Sequence, residues 1–235
     1  DKMIIALNNK CNLTKQEFLK YQEELGKIST KNKVILCPTF LNISHFDLNN
    51  VELGAQNVSS NEQGAYTGEV SAQQLQSEQV KYCIVGHSER RKYQQETDEE
   101  INQKIIRLLE CNIVPILCVG ETKEEREKQL EKNIIEKELK KALENLTDEQ
   151  KEKTIIAYEP IWSIGTGIIP TNNQIKEMFQ TIKQLLPNNK VLYGGSANEE
   201  NVVLLKEIEE IDGYLLGGLS LKPEKLKVFI EKLKN

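Results

Sequence analysis

Residues 154–179, "TIIAYEPIWSIGTGIIPTNNQIKEMF", change character twice. The opening run, 154–158, is apolar, rich in β-branched side chains and too short for a helix, as expected of a strand buried on both faces. At its end stands a carboxylate, Glu159, followed at once by Pro160, then by Trp162 and by Gly165 and Gly167 flanking Thr166. Thr171 then precedes Gln174 by three positions. That is the capping-box spacing, in which a hydroxyl and an amide or acid satisfy backbone N–H groups at a helix start. The segment is one strand–loop–helix unit, and whether it recurs decides the fold.

It does recur. Comparable runs are "MIIAL" (3–7), "KVILC" (33–37), "VELGAQN" (51–57), "YCIVG" (82–86), "NIVPILCV" (112–119), "KVLYG" (190–194) and "DGYLLGG" (212–218), which makes eight in all. Further capping boxes are expected at Thr14 with Glu17, Ser71 with Gln74, Thr97 with Glu100, Thr122 with Glu125 and Ser196 with Glu199. Near Ser220 the matching position carries Pro223, which suits a first helical turn. "TFLNISHFDL" predicts only a short helix, and 122–146 predicts one long solvated helix. Alternating strands and helices demand a parallel sheet with right-handed crossovers. An open doubly wound sheet would use the same alternation, but no G-x-G-x-x-G follows the first run, and eight units is the closure number of a barrel. The chain, 1–235, therefore reads as one (β/α)8 barrel domain, with Asp1 and Lys2, ahead of Met3, set aside as a tag remnant.

Composition narrows the function classes. With 38% hydrophobic and 29% charged residues the chain is an ordinary globule, and no apolar run reaches the length of a membrane span. No secretory leader is expected. A net charge of −5 and the absence of a basic block argue against nucleic acid. Five cysteines (11, 37, 83, 111, 118) lack C-x-x-C spacing, which predicts reduced thiols and a cytoplasmic setting. Two histidines are too few for a His-based metal site.

Barrel chemistry sits where strands end. Those ends carry "NNKCN" (8–12), "GHSERR" (86–91), "EPIWSIGTG" (159–167), "YGGS" (193–196) and "GGLSLKP" (217–223). Lys10, His87 and Glu159 thus converge on one rim, and glycine turns after the last two strands form an anion site of the kind that holds phosphate. Read singly, each has a plainer alternative: a strand terminus, a structural histidine, a solvated lysine, ordinary turn glycines. Together they point to proton transfer on a small phosphorylated carbonyl compound.

These strings, in this order and across essentially the whole chain, resemble the triosephosphate isomerase family. The resemblance implies a TIM barrel that interconverts D-glyceraldehyde 3-phosphate and dihydroxyacetone phosphate, a step of glycolysis and gluconeogenesis, with neither cofactor nor metal. It implies Glu159 as the base and His87, as neutral imidazole, polarising the carbonyl. Lys10 and Asn8 would meet the charge on the enediolate. Backbone N–H groups of Gly165, Ser196, Gly217 and Gly218 would hold phosphate, and Ser88 and Glu89 would stand behind the reacting groups. Pro160 would stiffen the hinge of a lid, 161–167, that closes over the substrate. A homodimer is implied, in which Tyr66 and Thr67 reach into the neighbouring subunit over Cys11. Glu121 would serve a helix start or support the site. An isomerase of another small sugar phosphate and a catalytically poor phosphosugar-binding protein remain the alternatives. The chain departs from the family at Asn9, usually aromatic, at Leu13, usually glycine, at Leu219, usually small, and at Pro170 in the second hinge. Leu219 stands just beside the phosphate turn, where a larger side chain could crowd it.

Overall fold

The computed structural model describes residues 2–164, 166 and 168–234. Eight parallel strands close into a barrel in sequence order: β1 Ile4–Asn8, β2 Lys33–Cys37, β3 Glu52–Ala55, β4 Tyr82–Val85, β5 Val114–Val119, β6 Ile155–Tyr158, β7 Val191–Tyr193 and β8 Gly213–Leu216. Closure comes from β8 beside β1, with Ala6 opposite Leu215 and Leu7 opposite Leu216.

Strand alternation explains why the apolar runs lack polar positions. Ala6, Ile35, Cys37, Ile84, Ile116, Cys118, Ala157, Leu192 and Leu215 fill the barrel interior. Their neighbours Ile5, Leu7, Leu36, Val85, Leu117, Ile156, Tyr193 and Tyr214 face the helices instead. Beyond the exposed first residues of β2 and β3, Lys33 and Glu52, both faces of the strands are dry, so both demand apolar side chains.

Around the barrel lie α1 Lys15–Gly26, α2 Phe40–Ile43, α3 Ala72–Ser77, α4 Ser88–Tyr93, α5 Asp98–Glu110, α6 Lys123–Glu127, α7 Glu131–Ala142, α8 Asp148–Glu152, α9 Asn172–Leu185, α10 Val202–Leu205 and α11 Pro223–Leu233. Reciprocal capping boxes form at Thr14, Ser71, Thr97, Thr122 and Thr171, and a further one at Thr147 with Gln150. Among the described residues, no helix is long and apolar enough to cross a membrane.

Two expectations fail. Ser196 caps nothing: α10 starts only at Val202, because Asn198 Oδ1 accepts the N–H groups of Glu200 and Asn201 (2.8 Å each) and turns the chain there first. The long helix over 122–146 is two helices. Gln129, at φ 58°, ends α6 with Leu130 N–H bonded to Glu125 carbonyl (2.9 Å) and Gln129 N–H to Arg126 carbonyl (2.9 Å). This is a Schellman stop made without glycine. It frees α7 to bury Ile135, Leu139 and Ala142, so that helix is not wholly solvated.

Candidate active site

The three groups converge at the C-terminal mouth of the barrel. Asn8 ends β1, and its Oδ1 accepts the Lys10 N–H (2.9 Å). Lys10 stands at φ 54°, a left-handed conformation costing a residue with a Cβ about 1 kcal/mol. Gln56, just beyond β3, holds it there: its Nε2 donates to the carbonyls of Lys10 and Cys37 (2.9 Å each). Sequence reading passed over Gln56, whose one signal was a double-donor side chain closing the third apolar run. Lys10 Nζ pairs with Glu89 Oε1 at 2.8 Å.

At the end of β4, Gly86 takes φ +68°, where a Cβ would press on Ile101 and Arg91. The turn delivers His87 as the N-cap of α4, with Nδ1 accepting the Glu89 N–H (3.1 Å). That bond fixes the tautomer with its proton on Nε2. Nε2 faces Glu159 Oε2 at 3.1 Å, and both side chains are buried. Glu159 is placed by its own N–H bonding to the Val119 carbonyl (2.8 Å). Its Oε1 accepts the Ser88 N–H (3.3 Å), and its Oε2 accepts the Ser88 hydroxyl (3.4 Å).

Burial alone would raise the Glu159 pKa, but the His87 ring and the Ser88 N–H reverse this and hold it below the ordinary carboxylate value. Burial likewise opposes a charged His87. The Glu159 carboxylate, with Glu89 behind it, outweighs burial and Lys10 and raises the ring above its ordinary value. With Nδ1 occupied as the acceptor of the Glu89 N–H, the ring that fits this geometry is the neutral Nε2–H tautomer, facing Glu159.

The segment after β6 is latched. Ile161–Ser163 form one 3-10 turn. Glu121 Oε1 accepts from Trp162 Nε1 (2.7 Å), Tyr158 hydroxyl (2.7 Å) and Arg126 (3.0 Å). Its Oε2 is buried without a partner among the described residues. Glu121 thus holds the stem of the expected lid rather than a helix start. Gly165 and Gly167 lie outside the described residues. Pro170 is buried directly ahead of the Thr171 cap, with Ile168 and Ile169 exposed beside it.

The remaining phosphate candidates border the same mouth. Gly217 packs against Lys10, where a Cβ would stand 3.0 Å from Lys10 Cε. Gly218 opens the 3-10 turn Gly218–Leu221. The Ser196 hydroxyl donates to the Ser163 carbonyl (3.4 Å), tying the loop after β7 to the lid stem. Leu219 is buried in the core between strands and helices, so it does not crowd the turn.

A family model for triosephosphate isomerase matches residues 3–233. The chain belongs to the triosephosphate isomerase family. Triosephosphate isomerase of Clostridium botulinum (strain Langeland / NCTC 10281 / Type F) is 40% identical over 242 residues, covering 97% of this chain and 98% of the relative. Those of Clostridium beijerinckii and Clostridium tetani are also 40% identical, covering 94% of this chain and 96% and 92% of theirs.

Against the triosephosphate isomerase pattern, the two departures in the first loop have local accounts. Asn9 is buried, and its Nδ2 donates to Tyr21 hydroxyl (3.2 Å) and Ser220 Oγ (3.3 Å). A polar link thus joins the exits of β1 and β8. Leu13 takes φ 72°, strained for any residue but glycine, while its carbonyl accepts from Asn42 (2.8 Å) and its side chain packs on the core.

Between α4 and α5, Glu96 is a buried acid held by Arg90 (2.7 Å) and Lys104 (2.9 Å). Burial would raise its pKa, but Lys104 and then Arg90 bring it below the ordinary value. A depressed folded-state pKa stabilises the protein above the unfolded value, and the gain is lost as pH falls through the folded one. Glu96→Gln should therefore cost about 3 kcal/mol at neutral pH, chiefly by leaving the buried Lys104 ammonium short of its partner. In chemical denaturation the gap to the parent should narrow once pH drops below the ordinary carboxylate range. An unchanged gap there would assign the loss to packing.

Proposed function

We propose that the chain interconverts D-glyceraldehyde 3-phosphate and dihydroxyacetone phosphate through an enediolate. The supporting observation is the buried Glu159 carboxylate facing His87 Nε2 at 3.1 Å at the barrel mouth. In this reading Glu159 turns from Ser88 toward substrate and takes a proton from the carbon beside the carbonyl. The desolvated carboxylate is a stronger base for that weak carbon acid than a hydrated one. His87 donates its Nε2 hydrogen bond to the carbonyl oxygen as negative charge builds there, and Lys10 and Asn8 meet the same charge. Once Glu159 has moved off, burial and the Glu89 N–H on Nδ1 favour the neutral ring. His87 carries a proton from the hydroxyl oxygen to the former carbonyl oxygen, Glu159 returns its proton to the neighbouring carbon, and the isomerisation is complete. Ser196, Gly217 and Gly218 hold the phosphate through backbone N–H groups, and Ser88 and Glu89 steady Glu159, His87 and Lys10.

A coupled assay of the purified protein in both directions tests this. Absence of turnover by folded protein would favour a phosphosugar-binding role, and turnover confined to longer sugar phosphates would favour another isomerase. Within the assay, Lys10→Met should raise KM and lower kcat together, because it removes the cation facing substrate. His87→Gln should lower kcat with KM little changed. Identical profiles for the two would overturn the separate roles.

The active form in this reading is a cytoplasmic homodimer. A cavity of about 430 Å³ beside Lys10 and His87 is lined by Cys11, Phe40 and Gln94. Loop 62–69 is exposed along its length and carries Tyr66 and Thr67. Phe40, Leu41, Tyr66 and Tyr93 are exposed apolar surface near these elements, suited to a second copy's loop.

A further inference from the structure

Arg91 and Glu138 touch neither Lys10 nor the His87 ring, yet they grip the backbone that carries the reacting groups. From α4, Arg91 Nε donates to the carbonyl of Gly86 (2.8 Å), the residue just before His87. Its second arm donates to the Cys118 carbonyl (3.2 Å), at the exit of β5. Its remaining nitrogen meets Asp98 Oδ1 (2.6 Å) and Glu138 Oε2 (3.0 Å). From α7, Glu138 Oε1 accepts the Gly120 N–H (3.2 Å).

Gly120 is packed so closely on the Glu159 carbonyl that a Cβ there would overlap it, and Val119 accepts the Glu159 N–H (2.8 Å). One guanidinium therefore joins the exit of β4 to that of β5, and one carboxyl joins the guanidinium to the peptide against which Glu159 rests.

Two acids share this one cation. Asp98 stands closer to it, and burial, against the pull of Arg91, pushes Glu138 up to about 8. Both Glu138 oxygens nevertheless face donors, Arg91 on one side and the Gly120 N–H on the other. The Glu138 side chain borders a cavity of about 620 Å³ that also reaches Ser88, Ile161 and Ile164, so the same pocket touches the residue that bonds Glu159 and the segment after β6.

We propose that Glu138 is a positioning residue for the isomerisation: held between Arg91 and the Gly120 N–H, it locks the exits of β4 and β5 so that His87 and Glu159 keep their spacing. The inference rests on the roles proposed for those two residues. The phosphate and Lys10 sides of the site, on β1, β7 and β8, lie outside this clamp. Loosening it should therefore misplace base and imidazole while leaving binding alone.

The test is steady-state kinetics on three variants, with circular dichroism to confirm folding. Glu138→Leu removes the acceptor at nearly constant volume and should lower kcat 10- to 100-fold, roughly the loss from a displacement of about 1 Å, with KM within about 2-fold. Glu138→Gln retains one acceptor oxygen, for Gly120, while its NH2 cannot accept from Arg91, and should recover part of that loss. If Glu138→Leu fails to fold, Arg91→Lys, which cannot span the Gly86, Cys118 and Asp98 contacts at once, should show the same kcat-specific loss. Parental kcat in the folded variants overturns the proposal, as do equal losses in Glu138→Gln and Glu138→Leu. Glu159→Asp, run alongside, separates the two failures: if it too keeps its kcat, the proposed function is at fault, and if it alone loses kcat, only the clamp is.

Discussion

Glu159→Asp should lower kcat on the order of 100-fold while KM changes little. The carboxylate is retained, as is its negative charge, so ground-state electrostatics at the mouth of the barrel are nearly preserved. What changes is reach: one methylene fewer withdraws the oxygens by about 1 Å from the position a near-attack geometry needs. The backbone cannot make up the difference, because the Glu159 N–H is bonded to the Val119 carbonyl and its own carbonyl lies against Gly120. Ser88 and His87 also lose bonds set at 3.1–3.4 Å, so the shortened acid no longer shares their pocket. Stopped-assay kcat and KM in both directions would check this, and near-parental kcat would remove Glu159 from the role of base.

Methylation of a single thiol should abolish activity altogether. All five cysteines are free, and Cys11 alone among them is exposed. Burial pushes the Cys37 thiol up to about 12 and lifts Cys83 and Cys118 well above the ordinary range, so those sulfurs stay protonated and shielded. Cys11 lies one residue past Lys10 and lines the cavity into which the partner's loop is proposed to fit. An adduct there leaves no room for the loop. Treatment with a methylating thiol reagent should halve the mass by size exclusion and stop turnover, faster in dilute protein where the interface opens more often. Cys11→Ala should stay active and resist. Inactivation of that variant at the parent's rate would overturn both the reactive site and the interface.

Much of this was written along the chain because its causes are local. Eight short β-branched runs, each with two dry faces, admit no helix and no alternation, and hydroxyl–acid pairs three apart start helices through contacts that span one turn. Lys10, His87 and Glu159 could be named because each ends such a run, and strand ends of a closed parallel barrel share one rim. What the tertiary structure decided depends on partners distant in sequence. The turn at Asn198 and the stop at Gln129 are the exceptions, local contacts spanning two to five residues that carry no capping-box or glycine signature. Leu219 turned into the core. Gln56 gained its role only by meeting the Lys10 carbonyl, Glu121 only by meeting Trp162, and Glu138 only where Arg91 and Gly120 arrive from other strands. Capping and alternation are set within a few residues of chain, whereas a hydrogen bond across a closed barrel exists only once the barrel has closed.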